Sequence, residues 1–136
     1  MKLSENFSLE EMVKSETAVR RGIKNTPNSV ALMRLHTLCI EILQPLRERW
    51  GSPIRVTSGF RCDALNKIVG GASNSQHIRG EAADIVSEDN RGLFLLIESM
   101  ISNGELKVGQ LIDEKNYRWL HISLPDSRHF NQILHL

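Results

Sequence analysis

Ser75-Gln76-His77-Ile78-Arg79-Gly80-Glu81-Ala82-Ala83-Asp84 is the stretch on which the rest of the chain turns. These residues hold an imidazole, a turn glycine, two small alanines and a carboxylate, a set that a hydrophobic core does not call for. Residues Ala82 to Val86 read as a strand, whose side chains alternate between faces, so Ala82 and Asp84 share one face and Ala83 and Ile85 the other. Ala82 leaves room beside the carboxylate. Gly80 lets the chain turn back, so that His77 returns to the same point. Imidazole nitrogen and carboxylate oxygen are both zinc donors, and His77 and Asp84 are therefore read as two metal ligands.

A third donor comes from Trp119-Leu120-His121-Ile122-Ser123. The same alternation puts Trp119, His121 and Ser123 on one face and Leu120, Ile122 and Leu124 on the core face. Neighbouring strands lie about 5 Å apart, so Asp84 and His121 can meet at one ion. Gly109-Gln110-Leu111-Ile112 reads as the other arm of a hairpin, joined to the histidine strand through Lys115-Asn116-Tyr117-Arg118.

Outward from these stretches the chain reads as scaffold. Ser8 and Glu11 form a capping box with Phe7 and Met12 as its hydrophobic staple, which predicts a docked helix over residues 8 to about 14. Ser15 to Asn25 shows no sustained period and reads as a polar connection. Thr26-Pro27 marks a helix start, after which Leu32, Leu35, Cys39, Ile42, Leu46 and Trp50 recur at steps of three and four up to Gly51. Pro45 within that pattern predicts a kink or break near residue 44, and His36 lies beside the stripe. Pro53 to Ser58 reads as a strand, Cys62 to Val69 as a helical turn or two, and residues 70 to 74 as a loop. Asn90 is expected to cap a helix carrying Leu93, Leu96, Ile97, Met100 and Ile101 and stopped by Gly104. Beyond Pro125 the tail, with His129, Phe130, Ile133 and Leu134, is expected to pack as one last helical turn. The order of elements predicts an α+β fold, helices packed against a small, mostly antiparallel sheet, in one domain over residues 1–136.

Composition narrows the function classes. Seventeen basic and sixteen acidic side chains leave a net charge of +1, which gives no bulk signal for nucleic acid or a membrane surface. No stretch approaches the eighteen or so apolar residues of a membrane span, and the first residues lack a charged region followed by an apolar run, so the chain as given is expected to be cytoplasmic at synthesis and to act on the cell wall after release. Cys39 and Cys62, the two cysteines, form no CxxC pattern, and Cys39 falls in the apolar stripe as a small hydrophobe. A monomer is the expected state.

At Ser58-Gly59-Phe60-Arg61, Leu65-Asn66, the S-x-H-x-x-G-x-A-x-D pattern from Ser75 to Asp84, and Trp119-Leu120-His121-Ile122-Ser123, the sequence resembles the zinc D-alanyl-D-alanine carboxypeptidases and the related D,D-dipeptidases and phage endolysin peptidases, which cleave peptidoglycan stem peptides. With the helical lead-in, the resemblance covers nearly the whole chain. It implies a fold of the D-Ala-D-Ala carboxypeptidase and hedgehog type, one zinc ion held by His77, Asp84 and His121, and substrate contacts at Arg61, Ser75 and Gln76. It also implies that Arg61 stabilises charge at the scissile carbonyl, and that the partner is a peptidoglycan peptide.

One position departs from the pattern. Many members carry the catalytic carboxylate three residues before the last histidine, where this chain has Arg118, which cannot act as a base. The candidates are then Asp113 and Glu114 on the first arm of the hairpin, and a one-residue change of register exchanges their faces. If Glu114 pairs with Trp119, Ile112 is opposite His121 and Glu114 lies diagonal to it; if Asp113 is opposite His121, the aspartate faces the metal. Similar phage-type members carry a glutamate after a Gln-Leu-Ile run, which favours Glu114. The competing expectation is a non-enzymatic, zinc-stabilised binding module, its site closed by a fourth ligand from His129 or Asp113.

Overall fold

The computed structural model describes all residues, 1–136. Two short helices open the chain. In α1, Leu9–Val13, the Ser8 hydroxyl accepts from the Glu11 N–H, while Phe7 and Met12 are buried. The box is not reciprocal, because the Glu11 carboxylate instead accepts from the Val56 N–H and ties the helix to the sheet. The segment read as a polar connection contains a second helix, α2, Glu16–Arg21, capped by Ser15 at one end and by Gly22 with φ of 66° at the other. Only Ala18 of this helix is buried, so it is held by its caps and leaves no apolar period to read.

Asn28, not Thr26, caps α3, Ser29–Leu38: its side chain accepts from the Ala31 N–H at 2.8 Å. The helical path then widens into a π turn, Cys39–Leu43, and continues as α4, Gln44–Trp50, ending at Gly51 with φ of 77°. The Gln44 N–H reaches back five residues to the Cys39 carbonyl. Pro45 has no N–H to give, and the widened turn accommodates it where a kink or break is expected. Leu35, Leu38, Cys39, Ile42, Leu43 and Leu46 are almost wholly buried along this path, and His36 is exposed.

Five strands follow, interrupted by two helices: β1, Arg55–Ser58; α5, Asp63–Ile68; β2, Ala82–Val86; α6, Asn90–Ser102; β3, Gln110–Glu114; β4, Trp119–Ser123; and β5, Gln132–His135. Asp89, one residue before the expected Asn90, caps α6 through the Gly92 N–H. The strands form one sheet in the order β1-β2-β4-β3-β5. All pairings are antiparallel except β3 with β5, which is parallel. The architecture is α+β, as the order of elements predicts.

The tail is the clearest departure from the sequence reading. It forms β5 instead of a helical turn, because Asn131 clamps it to Val108: the Asn131 N–H donates to the Val108 carbonyl, and the Val108 N–H donates to the Asn131 side chain. Asn131 takes a left-handed conformation, φ 50°, to make that turn.

One sheet face is apolar. Val56, Ala83, Ile85, Leu111, Leu120 and Ile122 pack there with Leu35, Ile42, Leu46, Leu93, Phe94 and Ile97 in a core cluster of 25 buried residues. Burying that face is what fixes the register, since a one-residue slip would turn every one of these side chains outward. The opposite face is left for polar side chains, and the candidate site lies on it.

Candidate metal centre and active site

Strand register assembles the site. Asp84 on β2 lies directly opposite His121 on β4, and Ile112 on β3 is opposite the same histidine. His77 comes from the turn before β2. Gly80 makes that turn possible, with φ of 75° and its Cα against α3 so closely that a Cβ would stand 2.5 Å from the Ala31 carbonyl oxygen. The three side chains predicted from sequence converge: their donor atoms all lie within 4.8 Å of one another.

Each ring is oriented by a partner behind it. His77 donates from Nδ1 to the Gly59 carbonyl at 2.7 Å, so Nε2 is left free and lies 3.4 Å from Asp84 Oδ1. On His121 the roles are reversed. Its Nε2–H donates to Gln76 Oε1 at 3.2 Å, and Nδ1 lies 3.1 Å from Asp84 Oδ1. Tetrahedral zinc with bonds near 2.0–2.1 Å spaces its ligand atoms by roughly 3.3 Å, so both separations suit one shared ion. Backbone carbonyls and amides that fix imidazole tautomers in this way are the usual outer support of a zinc site.

Electrostatics favour a cation at the same point. Burial acts to raise the Asp84 pKa, and is the largest single effect, but the neighbouring His121 and His77 rings outweigh it and hold the carboxyl well below the usual range. The carboxylate is therefore ionised across the physiological pH range.

The expected substrate contacts divide. Ser75 and Gln76 line, with His121, Ile112 and Glu114, a cleft of about 660 Å³. Ser75 accepts from the His77 N–H at 3.2 Å, and Gln76 is nearly buried, its amide spent between His121 and Asp126. Arg61 lines a second cavity instead, with one guanidinium nitrogen 3.5 Å from the Ser75 hydroxyl. Its Nε is buried and has no partner. Burial lowers its pKa, and the Asp84 charge opposes that shift.

The register also separates the two candidate bases. Glu114 pairs with Trp119, which places it on the His121 face at the rim of the cleft. Asp113 pairs with Leu120 on the opposite face, so the alternative in which it faces the metal does not hold. Its carboxylate accepts from the Tyr117 N–H at 2.8 Å and contacts His135 at 2.9 Å. His129, the other candidate fourth ligand, is bound to Asp126 at 3.0 Å and is not part of the converging donor set.

Two residues the sequence reading did not single out support the site. Asp126 receives the Gln76 amide at 3.1 Å and the N–H groups of Arg128 and His129, so it fixes which way that amide points. Pro125-Asp126-Ser127 carries an ordinary turn signal, which gives no hint of this contact. Asn25 donates to the carbonyls of Val13 and Phe60 and accepts from the Cys62 N–H, clamping the chain on both sides of Arg61.

Three converging donors on the polar face of the β2–β4 pair, with His121 lining a polar cleft, are an arrangement that metal-dependent hydrolases use. The chain belongs to the peptidase M15 family, whose pattern matches residues 5–123. It is also 41% identical over 63 residues to the zinc D-Ala-D-Ala carboxypeptidase of Streptomyces albus G, a match covering 46% of this chain and 24% of that relative. The chain thus spans about a quarter of the relative's length. Zinc is the metal that relative's name carries, and the nitrogen and oxygen donors of His77, Asp84 and His121 suit it.

Proposed function

We propose that this protein is a zinc peptidase that hydrolyses a peptide bond in peptidoglycan stem peptides, either removing a terminal D-alanine or cutting an internal bond. The observation that supports this is the pairing of His121 with Ile112, by which Glu114 shares a sheet face and a cleft with His121, one of the three donors. His77, Asp84 and His121 would hold the ion. Zinc held there would supply Lewis acidity for activating water and polarising the amide carbonyl.

The chain's own groups do the rest. Glu114 takes the proton from the attacking water and returns it to the leaving amine, the role of a general base turned general acid. Arg61, with an unpaired buried Nε, supplies fixed positive charge to the tetrahedral oxyanion or to a substrate carboxylate. Ser75 holds that guanidinium in place, and Gln76 keeps the His121 ring in the tautomer that presents Nδ1. The relative named for D-Ala-D-Ala cleavage supports the substrate class.

The test is incubation of zinc-loaded protein with defined stem peptides and whole sacculi, followed by mass spectrometry. Release of a fragment or of alanine is expected. No product from any of these substrates would overturn the proposal.

A further inference from the structure

The second cavity, about 420 Å³, is unlike the rest of the molecule in charge. Lys14, Arg20, Arg55 and Arg61 line it against Glu16 alone, in a chain whose charges otherwise nearly cancel. None of the four cations forms an ion pair with a carboxylate. The floor is apolar: Phe60 and Leu65 are buried beneath it. Four unpaired cations around an apolar floor repel one another unless an anion lies among them, and an anion with an aliphatic stem fits both parts.

This cavity adjoins the metal centre along the sheet. Ser58, which lines it, lies opposite Asp84, and Arg55 lies opposite Val86, two residues further along β2 on the same face. Two residues of strand and one strand spacing put Arg55 roughly 8 Å from Asp84, Cα to Cα. Arg61 joins the two spaces, lining this cavity while reaching Ser75 in the first cleft. An extended peptide advances about 3.3–3.6 Å per residue, so a group held here sits two or three residues from the bond at the metal.

We propose that Lys14, Arg20 and Arg55 form an anionic subsite that takes a free carboxylate of the peptide, two or three residues from the scissile bond. This rests on the peptidase reading of the metal centre for its kinetic consequence, but the binding itself does not. The guanidinium groups of Arg20 and Arg55 fork onto the carboxylate, Lys14 adds a point charge, and Phe60 and Leu65 meet the aliphatic part. Substrates bearing an acid at that position are therefore selected over their amides.

Two measurements on the zinc-loaded full chain test this separately. In the first, glutarate is titrated while the backbone amides of Thr57 and Ser58 are followed by NMR, with neutral glutaramide as the control. Saturable shifts with glutarate only, weakened at least tenfold in R20A/R55A and further in R55E, are expected; all three arginine changes fall on exposed side chains. Equal binding of the two probes, or glutarate binding unchanged in R20A/R55A, would overturn the proposal. In the second, kcat/KM is compared for two stem peptides that differ only as acid or amide at the residue in question. Wild-type preference for the acid, carried in KM and lost in R20A/R55A, is expected, and no preference would count against the subsite. If neither peptide is cleaved, the peptidase reading fails, while the glutarate titration still decides whether the subsite exists.

Discussion

Glu114 lies on the same face of the β3–β4 hairpin as His121 and diagonal to it, because Ile112 occupies the position directly opposite the histidine. Diagonal neighbours in an antiparallel pair stand about 7–8 Å apart, close enough for a glutamate to reach a water at the metal without becoming a ligand itself. Glu114→Gln is therefore expected to keep zinc and lose roughly 10²–10⁴-fold in kcat. Asp113→Asn is expected to retain turnover and instead lose about 1–3 kcal/mol of stability, since the buried carboxylate ties Tyr117 and His135 together. Metal analysis beside peptide cleavage checks both, and an active Glu114→Gln enzyme would remove Glu114 from the mechanism.

Gln76 fixes the His121 tautomer and is itself fixed by Asp126. Gln76→Leu removes the acceptor for the ring N–H and leaves the imidazole free to rotate. Zinc affinity is expected to fall roughly 10–100-fold, measured by competition with a chromophoric chelator. An unchanged affinity would mean that the ring is held by packing alone.

Gly80 combines a left-handed backbone with contact against the Ala31 carbonyl. Gly80→Ala meets both obstacles, strain at positive φ and a clash with backbone that cannot move aside. A loss of about 1–3 kcal/mol is expected from urea unfolding, together with weaker zinc binding because the turn carries His77. Gly104, also at positive φ but with open space around it, is the control, and its alanine variant is expected to lose less.

Asp126 supplies the pH dependence. Burial pushes its pKa up, but backbone N–H groups of Arg128 and His129, with the His129 and Gln76 side chains, outweigh this and lower it from 3.8 to about 2. A carboxyl whose folded pKa is depressed stabilises the fold fully above its unfolded value and loses that contribution as pH falls through the folded one. The Asp126 contribution is thus present above about pH 4 and fades towards pH 2. Urea unfolding at pH 5 and pH 2.5 should show a larger drop for the wild type than for Asp126→Asn; equal drops would contradict this assignment.

Much of this was legible in the sequence, for reasons that differ by element. β2 and β4 announce themselves because one face of each is buried, so the alternation of Ala83 and Ile85 with Asp84, and of Leu120 and Ile122 with His121, is written into the residue types. The same alternation placed two of the three metal donors, Asp84 and His121, while His77 was read from the turn at Gly80. The β3 register was not legible from Asp113-Glu114, which offers a carboxylate to either face; burial of Leu111 beside Ile122 and the turn at Lys115, Asn116 and Tyr117, all at positive φ, set it together. Helix α2 was missed because its stability lies in Ser15 and Gly22 at its ends, and β5 because Asn131 acts through a contact with Val108, twenty-three residues earlier. Long-range side-chain clamps of this kind leave no local period to read.

One zinc ion per chain, held by His77, Asp84 and His121, is what the proposed peptidase activity requires. Titrating zinc into metal-stripped protein while following cleavage of a stem peptide puts that requirement to the test. Activity is expected to rise from zero and level off at one equivalent of zinc per chain. Cleavage that is full without added zinc, or absent at every zinc level, would contradict the account.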